Sequence, residues 1–311
     1  MTASHTNGQS AVVFDIQRLA LDDGPGIRTN IFFKGCPLRC VWCHNPESYI
    51  IDTQLAYNAS LCVACRLCAE ACEHGVHEFR SHRGQFMHNV SHERCVGCGA
   101  CLSVCCYDAL ELVGTRFTVD ELIEAITVDL PYYAIGEGGG ITLTGGEPML
   151  QWQFVDALLD KLENVHVVVE TSGYAPTEAF QQILPKVNLF LFDIKATSPE
   201  KHRQLCGVDN ELILKNLDFL CGSQSSVILR LPLIPTVNDD DEHLRGIAGL
   251  LDRYQTIQYA QIMPYHNLGE SKRERFGMSP QADGIPNPSD GQRAKWLDKL
   301  LFFGAENIRC T

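Results

Sequence analysis

Nowhere in this sequence does an uninterrupted apolar run approach the roughly 20 residues needed to cross a bilayer. The opening segment, Met1 to Ser10, is polar and lacks the charged start and apolar stretch of an export signal. A soluble, cytoplasmic protein with no membrane partner is therefore expected. Positive charge is also scarce: 25 Lys and Arg stand against 38 Asp and Glu, a formal net charge of -13. Nucleic-acid binders need a concentrated basic surface to meet phosphates, so no nucleic-acid partner is expected. Cysteine is sparse in the later part of the chain, where Cys206, Cys221 and Cys310 stand alone and read as packing residues.

The remaining members of a set of 15 cysteines crowd between Cys36 and Cys106, two or three residues apart. In a short secreted chain this would suggest disulfides; in a chain of 311 residues without an export signal it reads as metal ligation. With 45% hydrophobic residues, a full core is available outside that stretch.

Short apolar runs there alternate with amphipathic ones, the pattern of repeated β-α units around a parallel sheet. Six strands are predicted: Thr29 to Lys34, Ile141 to Thr144, Val165 to Val169, Leu189 to Phe192, Val227 to Leu231 and Tyr259 to Met263. Helical patterns lie between and after them, as in Val119 to Asp129, Phe154 to Leu162, Glu211 to Leu220 and Gln292 to Phe303. Polar or glycine-rich residues follow most strands directly, and in β/α barrels such ends converge on one mouth. The expectation is an α/β fold, a partial (β/α)6 barrel over residues 1–57 and 113–311, with a module inserted at 58–112. Its middle, Leu61 to Cys106, has too few long apolar runs for a core of its own, so metal must hold it.

GCPLRCVWC places Cys36, Cys40 and Cys43 in a C-x3-C-x2-C spacing just past the first strand. Three thiolates on a four-iron cube leave one iron open, able to take a methionine moiety through amine and carboxylate and to pass an electron to its sulfonium. A zinc site with His44 as fourth ligand is the plainer alternative. The spacing, its place after a strand, and the flanking DDGPGIRTNIFFKGCPLRCVWCHNPES resemble the radical S-adenosylmethionine superfamily. Asp23-Gly24-Pro25-Gly26-Ile27-Arg28 and the Cys-His-Asn after it narrow the resemblance to the glycyl radical enzyme activating enzymes, of the kind that activates pyruvate formate-lyase.

That resemblance spans nearly the whole chain and implies roles. Asp23 and Arg28 would contact the entering loop of the partner. Gly145, Gly146 and Glu147 would bind the methionine amine, although a Gly-Gly pair alone is more often a turn. Asp193 and Lys195 share a strand face; the resemblance sets the lysine near the methionine carboxylate and the aspartate near a monovalent cation completed by Glu170 and Thr171, where a plain ion pair is the alternative. Glu170 replaces the aspartate of the formate-lyase branch, which leaves that cation open. Arg230 would face the cofactor or make a rim salt bridge, His266 would hydrogen-bond the ribose, and Trp42 and Asn45 would flank the adenine, Trp42 serving equally as packing.

Cys62, Cys65, Cys68 and Cys72 follow C-x2-C-x2-C-x3-C, and Cys95, Cys98, Cys101 and Cys105 repeat it. The pair resembles a bacterial two-cluster ferredoxin, which implies that Cys105 completes the first set and Cys72 the second. The proline that usually follows the fourth cysteine is Glu73 in one copy and Cys106 in the other, so Cys106 stays open as an alternative ligand. Electron relay and a purely structural role are weighed evenly for this module, and its histidines read as solvated.

The cofactors expected are three 4Fe-4S clusters, S-adenosylmethionine and the open cation. The expected reaction consumes one electron, from a donor such as flavodoxin or ferredoxin, releases methionine and 5'-deoxyadenosine, and leaves a radical on a backbone glycine of a partner glycyl radical enzyme. Rival readings are a radical enzyme acting on a small molecule and a simple electron carrier.

Overall fold

The computed structural model describes residues 10–82, 85–135, 138–282 and 284–310. Its strands, in chain order, are β1 (Ser10–Ala20), β2 (Arg28–Phe33), β3 (Gln54–Tyr57), β4 (His77–His82), β5 (Gln85–Val90), β6 (Leu110–Val113), β7 (Thr115–Thr118), β8 (Gly140–Gly145), β9 (His166–Thr171), β10 (Leu189–Asp193), β11 (Val227–Leu233), β12 (Ile257–Pro264) and β13 (Ile308–Cys310). Nine of them form one sheet in the order β13-β12-β11-β10-β9-β8-β2-β1-β7.

From β2 to β13 every neighbouring pair is parallel, whereas β1 runs antiparallel to both β2 and β7. The central strands are runs such as ITLT and LFLF, buried along nearly their whole length because both faces are covered. The six predicted strands are β2 and β8 to β12. Three further strands in this sheet escaped the sequence reading: β1 and β7 close one edge, and β13, only three residues long, adds a parallel strand at the other. The partial barrel is thus flanked on one side by an antiparallel pair.

The four predicted helices are present as Val119–Thr127, Trp152–Leu159, Glu211–Gly222 and Asp290–Phe302. The first is opened by a capping box, Thr118 with Glu121, and the last by Ser289, whose side chain accepts from Gln292 N. Their apolar faces meet the outer face of the sheet in one large core that includes Phe33, Phe154, Phe180, Phe190 and Trp296. The inner face changes along the strands. Val168, Leu189, Leu191 and Ile228 make a small apolar plug, and two residues further on, by the period of a strand, stand Glu170, Asp193 and Arg230. Among the described residues no helix is long and apolar enough to cross a membrane.

Arg28, expected to meet a partner, is wholly buried at the start of β2. Its guanidinium donates to Thr142 Oγ1 at 2.7 Å, to the carbonyls of Pro25 and Gly138 at 2.8 Å each, to His166 O at 3.0 Å and to Ile141 O. The final residue of DGPGIR therefore ties that loop to the starts of β8 and β9.

The inserted segment leaves the sheet through β3 and returns through β6, which pair antiparallel; β4 and β5 form a hairpin between them. Among the described residues its buried apolar cluster is small, Leu55, Cys68, Val76, Cys101 and Leu110, with partly buried residues such as Tyr57, Phe79 and Leu112 packed against it.

Replacing Arg28 with alanine should lower the unfolding free energy by about 3–5 kcal/mol, since several buried acceptors at roughly 1–3 kcal/mol each lose their donor. Equilibrium urea unfolding under anaerobic conditions checks this; a loss below about 1 kcal/mol would contradict the structural role.

Candidate functional site

The segment after β2 is held from several sides before it presents any thiol. Gly35 N donates to Ser48 O at 2.7 Å, Arg39 N to Cys206 O at 2.7 Å and Val41 N to Leu205 O at 3.0 Å. Lys34, with no exposed surface, donates to Glu47 O at 2.7 Å and Gln54 Oε1 at 2.9 Å; burial lowers its pKa to about 8. Tyr49 donates to Cys40 O at 3.2 Å. Cys40 and Trp42 pack with Leu38, Leu205, Cys206, Ile234 and Tyr265. Cys206 is thus a packing residue, as expected, and so is Cys221, buried on its helix; Cys310 differs, lying exposed on β13.

Cys36, Cys40 and Cys43 line a cavity of about 250 Å³ at the C-terminal ends of the parallel strands. The same cavity is lined by Trp42, Asn45, Gly145, Gly146, Glu170, Thr171, Asp193, Lys195, Arg230 and His266. Almost the entire set singled out from the sequence for this cavity thus meets in one place. The thiols resist ionisation on their own: burial and neighbouring Cys40 push Cys36 up, and burial and Cys40 push Cys43 to about 11. Cys40 is raised by its contact with Cys206 and by burial. Three such thiols become thiolates together only when a cationic metal centre offsets their charge, so the donor set suits an iron-sulfur cluster.

Glu147 is the exception. It is fully buried and does not line the cavity. Its Oε1 accepts from Thr171 Oγ1 at 2.7 Å and Met149 N at 3.1 Å, and its Oε2 from Ser172 N at 2.9 Å and Ser172 Oγ at 2.5 Å. Burial still raises its pKa against the pull of these donors. The carboxylate holds the end of β9 in place from behind. The two glycines before it have a similar reason. A Cβ on Gly145 would stand 2.5 Å from Phe33 N, and one on Gly146 would stand 2.3 Å from Gly35 O. The close approach that requires glycine is to the backbone leading into the cysteine loop.

Charge inside the cavity is paired. Arg230, its side chain 4% exposed, donates to Asp23 Oδ1 at 3.0 Å, Glu170 Oε1 at 3.1 Å and Asp22 O at 2.8 Å. Burial opposes its charge, but Glu170 and Asp23 outweigh that and raise its pKa further. Asp23 lies on the inner side of the loop, where Asn30 also donates to it; burial, then Glu170, raises its pKa. Glu170 also accepts from Thr144 Oγ1 at 2.5 Å. Lys195 pairs with Asp193 at 2.7 Å. The lining therefore offers fixed cations and anions side by side, matched to a zwitterionic amino acid.

Two further residues take part, His44, weighed from the sequence only as a zinc ligand, and Lys272, which the sequence reading missed. His44 stacks on His266 with ring centroids 3.7 Å apart and an interplanar angle of 16°; its Nε2 is buried without a hydrogen-bond partner among the described residues. Lys272, on the helix Leu268–Arg275, donates to Asn45 Oδ1 at 3.2 Å and Glu47 Oε1 at 2.6 Å, pinning the cysteine loop from more than 200 residues away. No local signal marks it.

In the insert, one cavity is lined by Cys62, Cys65, Cys68 and Cys105, and a second by Cys72, Cys95, Cys98 and Cys101. Cys106 is exposed and lines neither. The expectation of solvated histidines fails for His77, which is 6% exposed, and for half-buried His88, packed between Tyr57 and Phe79. The hairpin encloses these rings because they supply apolar surface to a module that has little.

Comparison with known proteins shows the family. Residues 92–246 match the Radical SAM superfamily and residues 61–109 the 4Fe-4S dicluster domain. The chain is 39% identical over 288 residues to the choline trimethylamine-lyase activating enzyme of Oleidesulfovibrio alaskensis, covering 91% of this chain and 92% of that protein. It is 36% identical to the indoleacetate decarboxylase activating enzyme of Tractidigestivibacter scatoligenes and 38% identical to the (2S)-3-sulfopropanediol dehydratase activating enzyme of Klebsiella oxytoca, each match covering 96% of both chains.

Glu147→Gln should reduce stability by about 1–3 kcal/mol, because an amide NH2 would face existing donors. Urea unfolding checks this; unchanged stability with weakened S-adenosylmethionine binding by calorimetry would instead mean that the carboxylate meets the ligand.

Proposed function

The chain belongs to the radical S-adenosylmethionine enzymes that activate glycyl radical enzymes, and from that membership we propose that its strand-end cavity takes S-adenosylmethionine against a 4Fe-4S cluster on Cys36, Cys40 and Cys43. When bound, the cluster supplies the electron that divides the sulfonium into methionine and a 5'-deoxyadenosyl radical, which takes a hydrogen atom from a backbone glycine of the partner. The observation that carries this reading is the meeting of three thiols with the paired charges of Asp193, Lys195, Glu170 and Arg230 in one cavity.

Within it, Lys195 would hold the methionine carboxylate, and the Gly145 and Gly146 backbone would hold the amine. Glu147 acts one step back, by holding Thr171 and Ser172. Trp42, Asn45 and the His44–His266 stack form the nucleoside side, where a buried imidazole nitrogen awaits a polar partner. Glu170, Thr171 and Asp193 carry the oxygens a monovalent cation would take, with Arg230 already balancing Glu170. Asp23, partly exposed although paired with Arg230, would meet the partner, while Arg28 supports that loop from below.

We assign the insert, residues 58–112, two further 4Fe-4S clusters, one on Cys62, Cys65, Cys68 and Cys105 and one on Cys95, Cys98, Cys101 and Cys72. Two cavities lined by these sets support the pairing. They would pass electrons from a flavodoxin or ferredoxin to the first cluster. Three oxygen-labile centres suit a reducing cytoplasm. The partner is a glycyl radical enzyme of the lyase, decarboxylase or dehydratase kind served by the similar activating enzymes.

Anaerobically reconstituted and reduced protein should convert S-adenosylmethionine to 5'-deoxyadenosine, and Cys36→Ala should abolish this; equal turnover by the variant would overturn the assignment. Lys195→Met should weaken S-adenosylmethionine binding about ten- to a hundredfold, the loss expected for one charge-assisted contact of roughly 1.5–3 kcal/mol. Isothermal titration calorimetry reads that change.

A further inference from the structure

The insert contains a buried pair of histidines that the proposed reaction does not use. His77 opens β4 and His88 lies on β5; His77 Nδ1 and His88 Nε2 are 3.0 Å apart. His88 Nδ1 is 3.5 Å from Cys62 Sγ, and its Nε2 is 3.9 Å from Cys68 Sγ. Phe79, opposite His88 in the hairpin, stacks on its ring at 4.3 Å and 11°, and Tyr57 meets it edge-on at 4.6 Å. His88 lines the cavity of Cys62, Cys65, Cys68 and Cys105, whereas His77 lines that of Cys72, Cys95, Cys98 and Cys101. The pair therefore spans the space between the two cavities, held in one orientation by its neighbours.

The proton positions follow from what each contact needs. A neutral imidazole has one N–H, and a ligating thiolate can only accept. For the contact with Cys62 to be attractive, His88 must carry its proton on Nδ1. Its Nε2 is then an acceptor, and the proton in the contact between the rings belongs to His77 Nδ1. The opposite tautomer would aim a lone pair at the nearer thiolate, Cys62 at 3.5 Å, whereas in this one the Nε2 lone pair is taken up by His77 at 3.0 Å and lies 3.9 Å from Cys68. On the other side, the sulfur of Cys95 accepts from the backbone N of Gly97 at 3.4 Å.

We propose that His77 and His88 form a one-way hydrogen-bond chain ending on the Cys62 sulfur, which raises the reduction potential of the cluster on that side of the insert above what its thiolates alone would set. A donor aimed at a cluster sulfur favours the reduced, more negative state. This makes the two ferredoxin-like sites unequal although their cysteine spacings are the same. The inference rests on the reading that the insert holds two clusters. A competing use of the same atoms exists, because Cys68, His77 and His88 lie within 4.8 Å of one another and could hold a single ion; Cys68 cannot serve both.

The test uses full-length protein carrying Cys36→Ala, Cys40→Ala and Cys43→Ala, so that only the insert reports. This parent should hold about eight irons and eight sulfides; one metal ion without sulfide would refute the two-cluster reading itself. With clusters present, His88→Phe keeps the stacked ring and removes the donor. At a solution potential that half-reduces the affected cluster in the parent, the ratio of reduced to oxidised cluster by electron paramagnetic resonance should fall about tenfold, or 59 mV for one electron. The second cluster should not move, and His88→Gln, which retains an amide donor, should recover part of the shift. A ratio within twofold of the parent at full iron content would overturn the proposal, as would loss of half the iron. Should His88→Phe fail to fold, pulsed resonance on the reduced parent labelled with 15N-histidine decides. A weak nitrogen coupling supports the chain, and no coupling, or the strong coupling of a directly ligating nitrogen, refutes it.

Discussion

A guanidinium with almost no access to water, held between two carboxylates from different parts of the chain, organises the mouth of this protein. Arg230 on β11 reaches Glu170 on β9 and Asp23 on the loop before β2. Desolvating three charges is costly, and only their mutual pairing and further hydrogen bonds to Asp22, Thr144 and Asn30 offset it. The arrangement joins the ends of β9 and β11, on either side of β10, to the DGPGIR loop and leaves a polarised wall in the cavity that the cysteines line. A cavity for a zwitterionic sulfonium ligand needs such a wall already in place, because charges oriented in advance need no reorganisation when the ligand arrives.

Around this centre the backbone does much of the positioning. Gly145 and Gly146 let β8 run against Phe33 and Gly35, closer than any side chain would permit. Glu147 then turns away from the cavity and gathers the end of β9. Lys272 reaches back from a late helix to Asn45 and Glu47. Each contact joins residues distant in the chain, so the cysteine loop is rigid although it belongs to no helix or strand for most of its length. Rigidity there matters because hydrogen transfer depends on keeping reacting atoms close and aligned.

The insert works by another rule. With five described residues in its buried apolar cluster, two of them cysteines, it has little burial to hold it. The aromatic rings of the hairpin add to that small group, and His88 meets two demands at once: it packs as a ring and brings its two nitrogens to the sulfurs of Cys62 and Cys68.

Much of this was legible in one dimension. Continuous apolar runs marked the parallel strands because strands covered on both faces need no polar alternation, and the thiol spacings marked three groups of cysteines, each of which lines a cavity. β1, with its half-exposed alternation, and β13, three residues with exposed side chains, carried no such signal. The sequence by itself determined which residue types gather at the strand ends, since a period of two and the direction of parallel strands leave them one mouth to share. Only the tertiary structure decided which way each side chain faces once there. Glu147 and Arg28 turned inward as supports, and His44, Lys272, His77 and His88 were drawn into contact, because burial and hydrogen-bond satisfaction are settled between residues that the chain order keeps apart.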